Sequence, residues 1–163
     1  MIAVRPYGPP DRDACLRLFH SNVPRYFTPA EETEYLAFLD ALPGPYLVLE
    51  QDDAVVGAGG HAYDGPGTVA LCWGMVKASL HGTGLGQVLL DARLAAVKRD
   101  QAVRTVRIST SQHTEGFFAR AGFVTVRVQA DGFGPGLHRH DMELAIGIGG
   151  AGFPAGPHAG GAR

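Results

Sequence analysis

Residues 76–90 read Val76-Lys77-Ala78-Ser79-Leu80-His81-Gly82-Thr83-Gly84-Leu85-Gly86-Gln87-Val88-Leu89-Leu90. Val76 closes an apolar run that starts near Val69, and Leu85 opens a stripe at helical spacing, so the stretch is a strand-to-helix turn. Glycines alternate at 82, 84 and 86. They let the backbone turn tightly and remove the β-carbons that would hold a ligand away from the amides. The first turn of a helix has N–H groups without intrahelical acceptors, and the macrodipole adds partial positive charge there. A pyrophosphate suits such a turn.

Spacing separates the nucleotide loops that could be meant. The dinucleotide fingerprint G-x-G-x-x-G is not met, because Gly82, Gly84 and Gly86 give G-x-G-x-G. The following strand ends at Ile108-Ser109-Thr110 without the acidic residue that would hold a ribose. The triphosphate loop needs Lys and Ser or Thr after its last glycine, but Gln87 and Val88 stand there.

Working outward, Leu85, Val88, Leu89, Ala92 and Ala96 form one apolar stripe of a helix ending near Lys98-Arg99, cations that suit a helix C-terminus. Upstream, residues 2–7 alternate as an opening strand, and Pro9-Pro10-Asp11 leads into a helix with Ala14, Cys15, Leu18 and Phe19 on one face, stopped at Val23-Pro24. Thr28-Pro29-Ala30-Glu31 has the form of a capping box and predicts a second helix to about Leu42, stopped by Pro43-Gly44-Pro45. The period then changes to that of strands. Tyr46 to Glu50 and Ala54 to Tyr63 flank a polar turn and read as a hairpin, followed by a strand over Thr68 to Val76. Downstream come a strand over Val103 to Thr110, a short helix over His113 to Ala121, a strand over Phe123 to Ala130, a loop over Asp131 to Gly136 and a closing strand over Asp141 to Ile146. The order β-α-α-β-β-β-α-β-α-β-β puts helices on a mixed sheet, an α/β (α+β mixed sheet) architecture.

At 163 residues the chain has the size of one domain, here 1–146, followed by a Gly/Ala/Pro-rich segment, 147–163, that reads as a disordered tail. A formal net charge of −2 with dispersed basic residues gives no footprint for nucleic acid. No apolar run approaches the roughly 18 residues of a membrane helix, and the first residues lack a signal peptide's pattern, so a cytoplasmic location is expected. The two cysteines, Cys15 and Cys72, read as core thiols, and no metal-ligand spacing involves them.

Residues 76–90 resemble the acetyl-CoA pyrophosphate loop of the GNAT acyltransferase superfamily, Gln/Arg-x-x-Gly-x-Gly/Ala on a strand-to-helix turn. Gly84 and Gly86 match, and His81 stands at the Gln/Arg position. A second landmark, Gly116-Phe117-Phe118-Ala119-Arg120-Ala121-Gly122-Phe123, is similar to the superfamily's late helix ending in Gly-Phe. The resemblance spans residues 1–146. It implies a mixed sheet with two central splayed parallel strands, helices on both faces and acyl-CoA in the cleft between those strands. Carried onto this sequence, Gly74, Met75 and Val76 would pair with the pantetheine amides, and the amides of Gly82, Thr83, Gly84, Leu85, Gly86 and Gln87 would hold the pyrophosphate.

Acyl transfer to an amine needs a neutral nucleophile, donors for the oxyanion and an outlet for the leaving thiolate. The tyrosine that often protonates the thiolate in this family is replaced by Phe118, and the asparagine seven residues earlier by Ser111. Candidate replacements are His61, His113, His138, His140, Glu115 and Asp141. His113 and Ser111 open the helix beside the expected thioester, while His138, His140 and Asp141 share the segment after Gly136, where an acceptor pocket could form. A loop histidine is ordinarily a solvated surface residue, and Trp73 reads as core or pocket wall. The expected activity is transfer of an acetyl group from acetyl-CoA, as co-substrate, to a primary amine of a small molecule or peptide by direct attack. The competing reading is a noncatalytic acyl-CoA-binding module. The acceptor's identity and a homodimer stay open.

Overall fold

The computed structural model describes residues 1–147; the expected tail falls almost wholly outside them. Strands β1 (Ile2–Pro6), β2 (Tyr46–Gln51), β3 (Ala54–Tyr63), β4 (Thr68–Val76), β5 (Thr105–Thr110), β6 (Val124–Gly134) and β7 (Leu137–Ala145) form one sheet in the order β1-β2-β3-β4-β5-β7-β6. All neighbours are antiparallel except β4 and β5. Helices α1 (Arg12–Ser21) and α2 (Glu32–Asp40) precede β2, α3 (Leu85–Lys98) links β4 to β5, and α4 (Glu115–Arg120) links β5 to β6.

The helices divide between the faces, and each face has its own core. Cys15, Leu18 and Phe19 of α1 and Tyr35 and Leu39 of α2 pack on Val48, Ala58, Trp73 and Met75. On the opposite face, Leu90 and Val97 of α3 and Phe118 of α4 pack on Val69, Leu71, Val106 and Ile108, and Leu85 and Leu89 on Leu49, Val56 and Val76. Both cysteines are buried and free, as core thiols should be. The expected capping box forms, with Glu31 accepting the Thr28 amide at 2.7 Å.

Two sequence expectations need correction. The segment after Gln129 is not all loop: β6 runs on to Gly134, with an irregular register between Gln129 and Gly134, and the hairpin turns at Pro135-Gly136. Glycine and proline read as turn residues, yet an edge hairpin absorbs them as bulges. The inward stripe of α3 is also rotated. Its buried positions are Leu85, Leu89, Leu90, Arg93 and Val97, while Val88 is exposed. The i, i+4 series continues through a charged residue, which counting apolar positions passes over.

Candidate active site

The parallel pair β4–β5 is joined only at its start, Thr68 to Ala70 against Thr105 to Arg107. Beyond that the strands part, so the sheet opens into a V at their carboxyl ends, where α/β sheets bind ligands. A bulge in β4 shapes one wall. Ala58 pairs with Met75 and Gly60 with Cys72, so Trp73 and Gly74 together oppose Gly59. Trp73 sits at φ 44°, a costly conformation for a bulky residue that its surroundings must enforce. Its ring is 1% exposed, 4.9 Å from the Tyr35 ring, and its carbonyl accepts the Tyr46 hydroxyl at 2.8 Å. Tyr35 and Tyr46 share a hydroxyl hydrogen bond of 2.9 Å, and burial raises both phenols above their ordinary pKa, so they stay protonated.

On the other side of this bulge lies Arg93, 3% exposed. Its Nη2 donates to the carbonyls of Gly60 and Cys72, at 3.1 and 3.2 Å, the two residues flanking the irregularity. Gly59 and Gly74 make room for it: a β-carbon on Gly74 would come 2.2 Å from Nη1, and one on Gly59 2.8 Å from Nε. Nε is buried with no hydrogen-bond partner. Burial pushes the guanidinium down to about 10, so it is still a cation at neutral pH. Burial, and then the Arg93 charge, also lowers His61 on β3.

The glycine loop follows the V. Gly82 and Gly84 have φ of 77° and 88°, and open space surrounds the position of a β-carbon on each. Gly84 is the N-cap of α3. His81 is tied back, its Nε2 2.8 Å from the Val76 carbonyl, and its ring meets Tyr26 edge-on at 4.9 Å.

A cleft of about 540 Å³ runs from this loop into the V. Of the residues expected to hold the donor, Gly74, Met75, Val76, Gly82, Gly84, Gly86 and Gln87 line it. Leu85 instead turns into the core, and Thr83 is exposed with its hydroxyl donating to the Leu80 carbonyl at 2.6 Å; the loop can use their amides only. Ser111 and His113 also line the cleft. Ser111 is 3% exposed, and its carbonyl accepts the Thr114 and Glu115 amides where α4 begins. Phe118 is at the cleft wall, 5.5 Å from the Phe123 ring, with no proton to give. Sequence reasoning missed Tyr26, from the α1–α2 connection, whose ring lies between His81 and His113 at 4.9 and 5.9 Å. It missed Arg93 too. No local pattern marks Tyr26, whereas the i, i+4 series would have found Arg93.

The remaining candidates lie elsewhere. His138 lines neither the cleft nor its neighbouring cavity; its Nδ1 accepts the Asp131 amide at 3.0 Å within the β6–β7 hairpin, and its own amide donates to Gln112 Oε1 at 2.9 Å. His140 has Nδ1 2.9 Å from Glu115, whose carboxylate also accepts the Thr125 hydroxyl at 2.6 Å. That hydrogen bond first, and then His140, lowers the Glu115 pKa. Asp141 is different. It is 3% exposed, accepts from Ser109 Oγ at 2.6 Å and Arg139 Nε at 2.8 Å, and lines a cavity of about 210 Å³ on the α2 face. This cavity carries Arg107, Asp64 and Glu143 as well, and shares Ile108 and Ser109 with the wall of the larger cleft.

A V-shaped opening between two parallel strands, leading to a glycine loop at a helix N-terminus and open on both faces, is a frame for bringing a phosphate-bearing donor and an acceptor together. The family model for the acetyltransferase (GNAT) domain matches residues 30–146. The chain therefore belongs to the GNAT acetyltransferases, and it is an acyltransferase with acetyl-CoA as co-substrate. Solved structures share the fold. A GNAT-family protein from Desulfovibrio desulfuricans superposes with a TM-score of 0.75 at 24% identity, over 89% of this chain and 99% of its own. The ribosomal-protein-S18-alanine N-acetyltransferase from Escherichia coli gives 0.75 at 15% identity, over 95% and 100%. The yncA protein from Salmonella typhimurium, solved with acetyl-CoA, gives 0.71 at 18% identity, over 98% and 99%. No curated protein sequence gives a significant match.

Proposed function

We propose that this protein transfers the acetyl group of acetyl-CoA to a primary amine of a small molecule or peptide by direct attack, with the donor in the larger cleft and the amine entering from the α2-face cavity. The observation that carries this reading is that the two cavities flank β5 and share Ile108 and Ser109 in their walls, one reaching the glycine loop and the other bearing the carboxylates of Asp64, Asp141 and Glu143. Those carboxylates already pair with Arg107 and Arg139, so an amine enters by exchanging into that network, and the cationic surroundings of the V favour its arrival at the thioester as the free base. Gly74 to Val76 would align the pantetheine, and the amides of Gly82 to Gln87 would hold the pyrophosphate. Ser111 and His113 stand at the cleft for hydrogen bonding to the reacting groups; the Tyr26 ring meets His113 edge-on.

The loop is tested with Gly86→Glu. A β-carbon at Gly86 meets only the Phe117 ring, at 3.5 Å, so the fold tolerates it while a carboxylate enters the anion site. Saturating acetyl-CoA should raise the wild-type Tm and leave the variant's nearly unchanged, a loss of at least ~100-fold in affinity, about 3 kcal/mol. Equal shifts would sink the loop assignment. Phe118 favours the second reading, a noncatalytic acyl-CoA sensor. Thiol release from acetyl-CoA across a panel of amines separates the two, since a sensor gives none at any protein concentration.

A further inference from the structure

Phe118 leaves α4 without the phenolic acid that the resemblance expects there, and its neighbours Phe117 and Phe123 offer no proton either. The chemistry still needs an outlet. When the amine nitrogen bonds to the thioester carbon, the C–S bond breaks with its electron pair on sulfur, and the nitrogen's extra proton passes to water. A thiolate in an apolar cleft is unstable unless it is protonated or faces a cation.

We infer that Arg93 is that cation: it stabilises the departing thiolate by its charge, in place of the phenolic acid that α4 lacks. The inference rests on the reading of the cleft as the acetyl-CoA site. Arg93 lines this cleft at the β4 bulge, and it touches Gly74, the first of the residues expected to align the thioester. Along α3 it follows Gly86 by two turns, about 10 Å along the axis, so it lies deep in the cleft beyond the phosphate loop. Among the described residues, no group neutralises its charge. Nη2 bonds only to carbonyls, Nε has no partner, and no carboxylate of the described residues acts on the guanidinium. The lining of the cleft contains a second arginine, Arg120, and no acidic side chain among the described residues, although the whole chain is net negative. A buried, unpaired cation is expensive to keep. A ligand that develops negative charge beside it gives that cation a use that two carbonyl hydrogen bonds do not.

The other titratable groups around Arg93 do not compete. His61 is held neutral by burial and by Arg93, Tyr46 is held protonated by burial, and Cys72 is raised by burial above an ordinary thiol. Arg93 loses no proton in the step; only its field acts.

The test is the acidity of the bound thiol, followed by ultraviolet absorbance of the thiolate as pH is raised, with free coenzyme A as the probe at saturating protein. Binding is checked separately by thermal shift. The thiol bound to the wild-type protein should titrate about one unit or more below free coenzyme A. Arg93→Gln should return it to the free value, and Arg93→Lys, which keeps charge but loses the fork, should retain most of the shift. A role confined to bracing the bulge would leave the thiol unmoved in all three. An unshifted thiol on wild-type protein that binds coenzyme A overturns the inference, as does a shift that survives Arg93→Gln. If Arg93→Gln does not fold, the wild-type titration and Arg93→Lys decide. Failure of the wild type to bind coenzyme A would instead overturn the donor-site reading itself.

Discussion

The two cavities that share Ile108 and Ser109 are built from different materials. The donor cleft is walled by glycines, apolar side chains and uncharged polar ones such as Tyr26, Ser111 and Thr114, with two arginines and no acid among its described lining residues. The α2-face cavity is walled by charges that already neutralise one another: Asp141 with Arg139, and Arg107 with Glu143 and Asp64. Both sites contain arginine, but only in the first does the protein leave the charge unanswered. The donor side is thus set to receive an anion. On the acceptor side a ligand must exchange into an existing network, which favours selectivity by geometry over simple charge attraction.

The comparison is broken most forcefully at Gly74. Alanine there places a β-carbon 2.2 Å from Nη1 of the buried Arg93, which must shift and give up its carbonyl hydrogen bonds. Gly74→Ala should destabilise the fold by about 3 kcal/mol in urea unfolding, from overpacking together with the lost carbonyl hydrogen bonds, and should weaken the acetyl-CoA thermal shift. Unchanged stability would mean that Arg93 moves freely and that the cleft's charge is not fixed.

Asp141→Asn probes the other cavity. It removes the charge from a buried carboxylate held by Ser109 and Arg139 and should lower stability by about 2 kcal/mol. Acceptor KM should rise while the acetyl-CoA shift stays at the wild-type value. Loss of donor binding in this variant would show that the two cavities do not divide the substrates as proposed.

The smallest effect sharpens the reach of the Arg93 charge. Burial and Arg93 lower the pKa of His61 below its ordinary 6.5, so the folded state refuses a proton that the unfolded chain accepts. This penalty is absent above that ordinary value and grows as pH falls through it, so stability should decline on acidification. His61→Leu should flatten the decline by up to about 1 kcal/mol between neutral and mildly acidic pH, read from urea midpoints. An identical pH slope in the variant would count against the coupling.

Much of this was legible in residues 76–90. Glycines at 82 and 84 answer to positive φ, and the stop at Val76 and the stripe from Leu85 mark the ends of a strand and a helix, because these are local constraints of backbone conformation. The β2–β3 hairpin and the capping box of Thr28 and Glu31 were readable for the same reason. The β6–β7 hairpin was not, since whether a run of Gly, Asp and Pro pairs or loops depends on the strand beside it. Tyr26 escaped because it reaches the cleft through the packing of a connection.

The sequence by itself determined an anion-binding turn on a mixed sheet and, in Phe118, the absence of a phenolic acid where the resemblance expects one. Only the tertiary structure decided that β4 and β5 part after three pairs, that Arg93 faces inward beneath the bulge with no carboxylate partner among the described residues, and that His138 belongs to a hairpin while Asp141 lines a cavity. A turn is fixed by the conformations of its own few residues. The charge balance of a cleft is fixed by groups far apart in the chain, and it exists only once they are packed together.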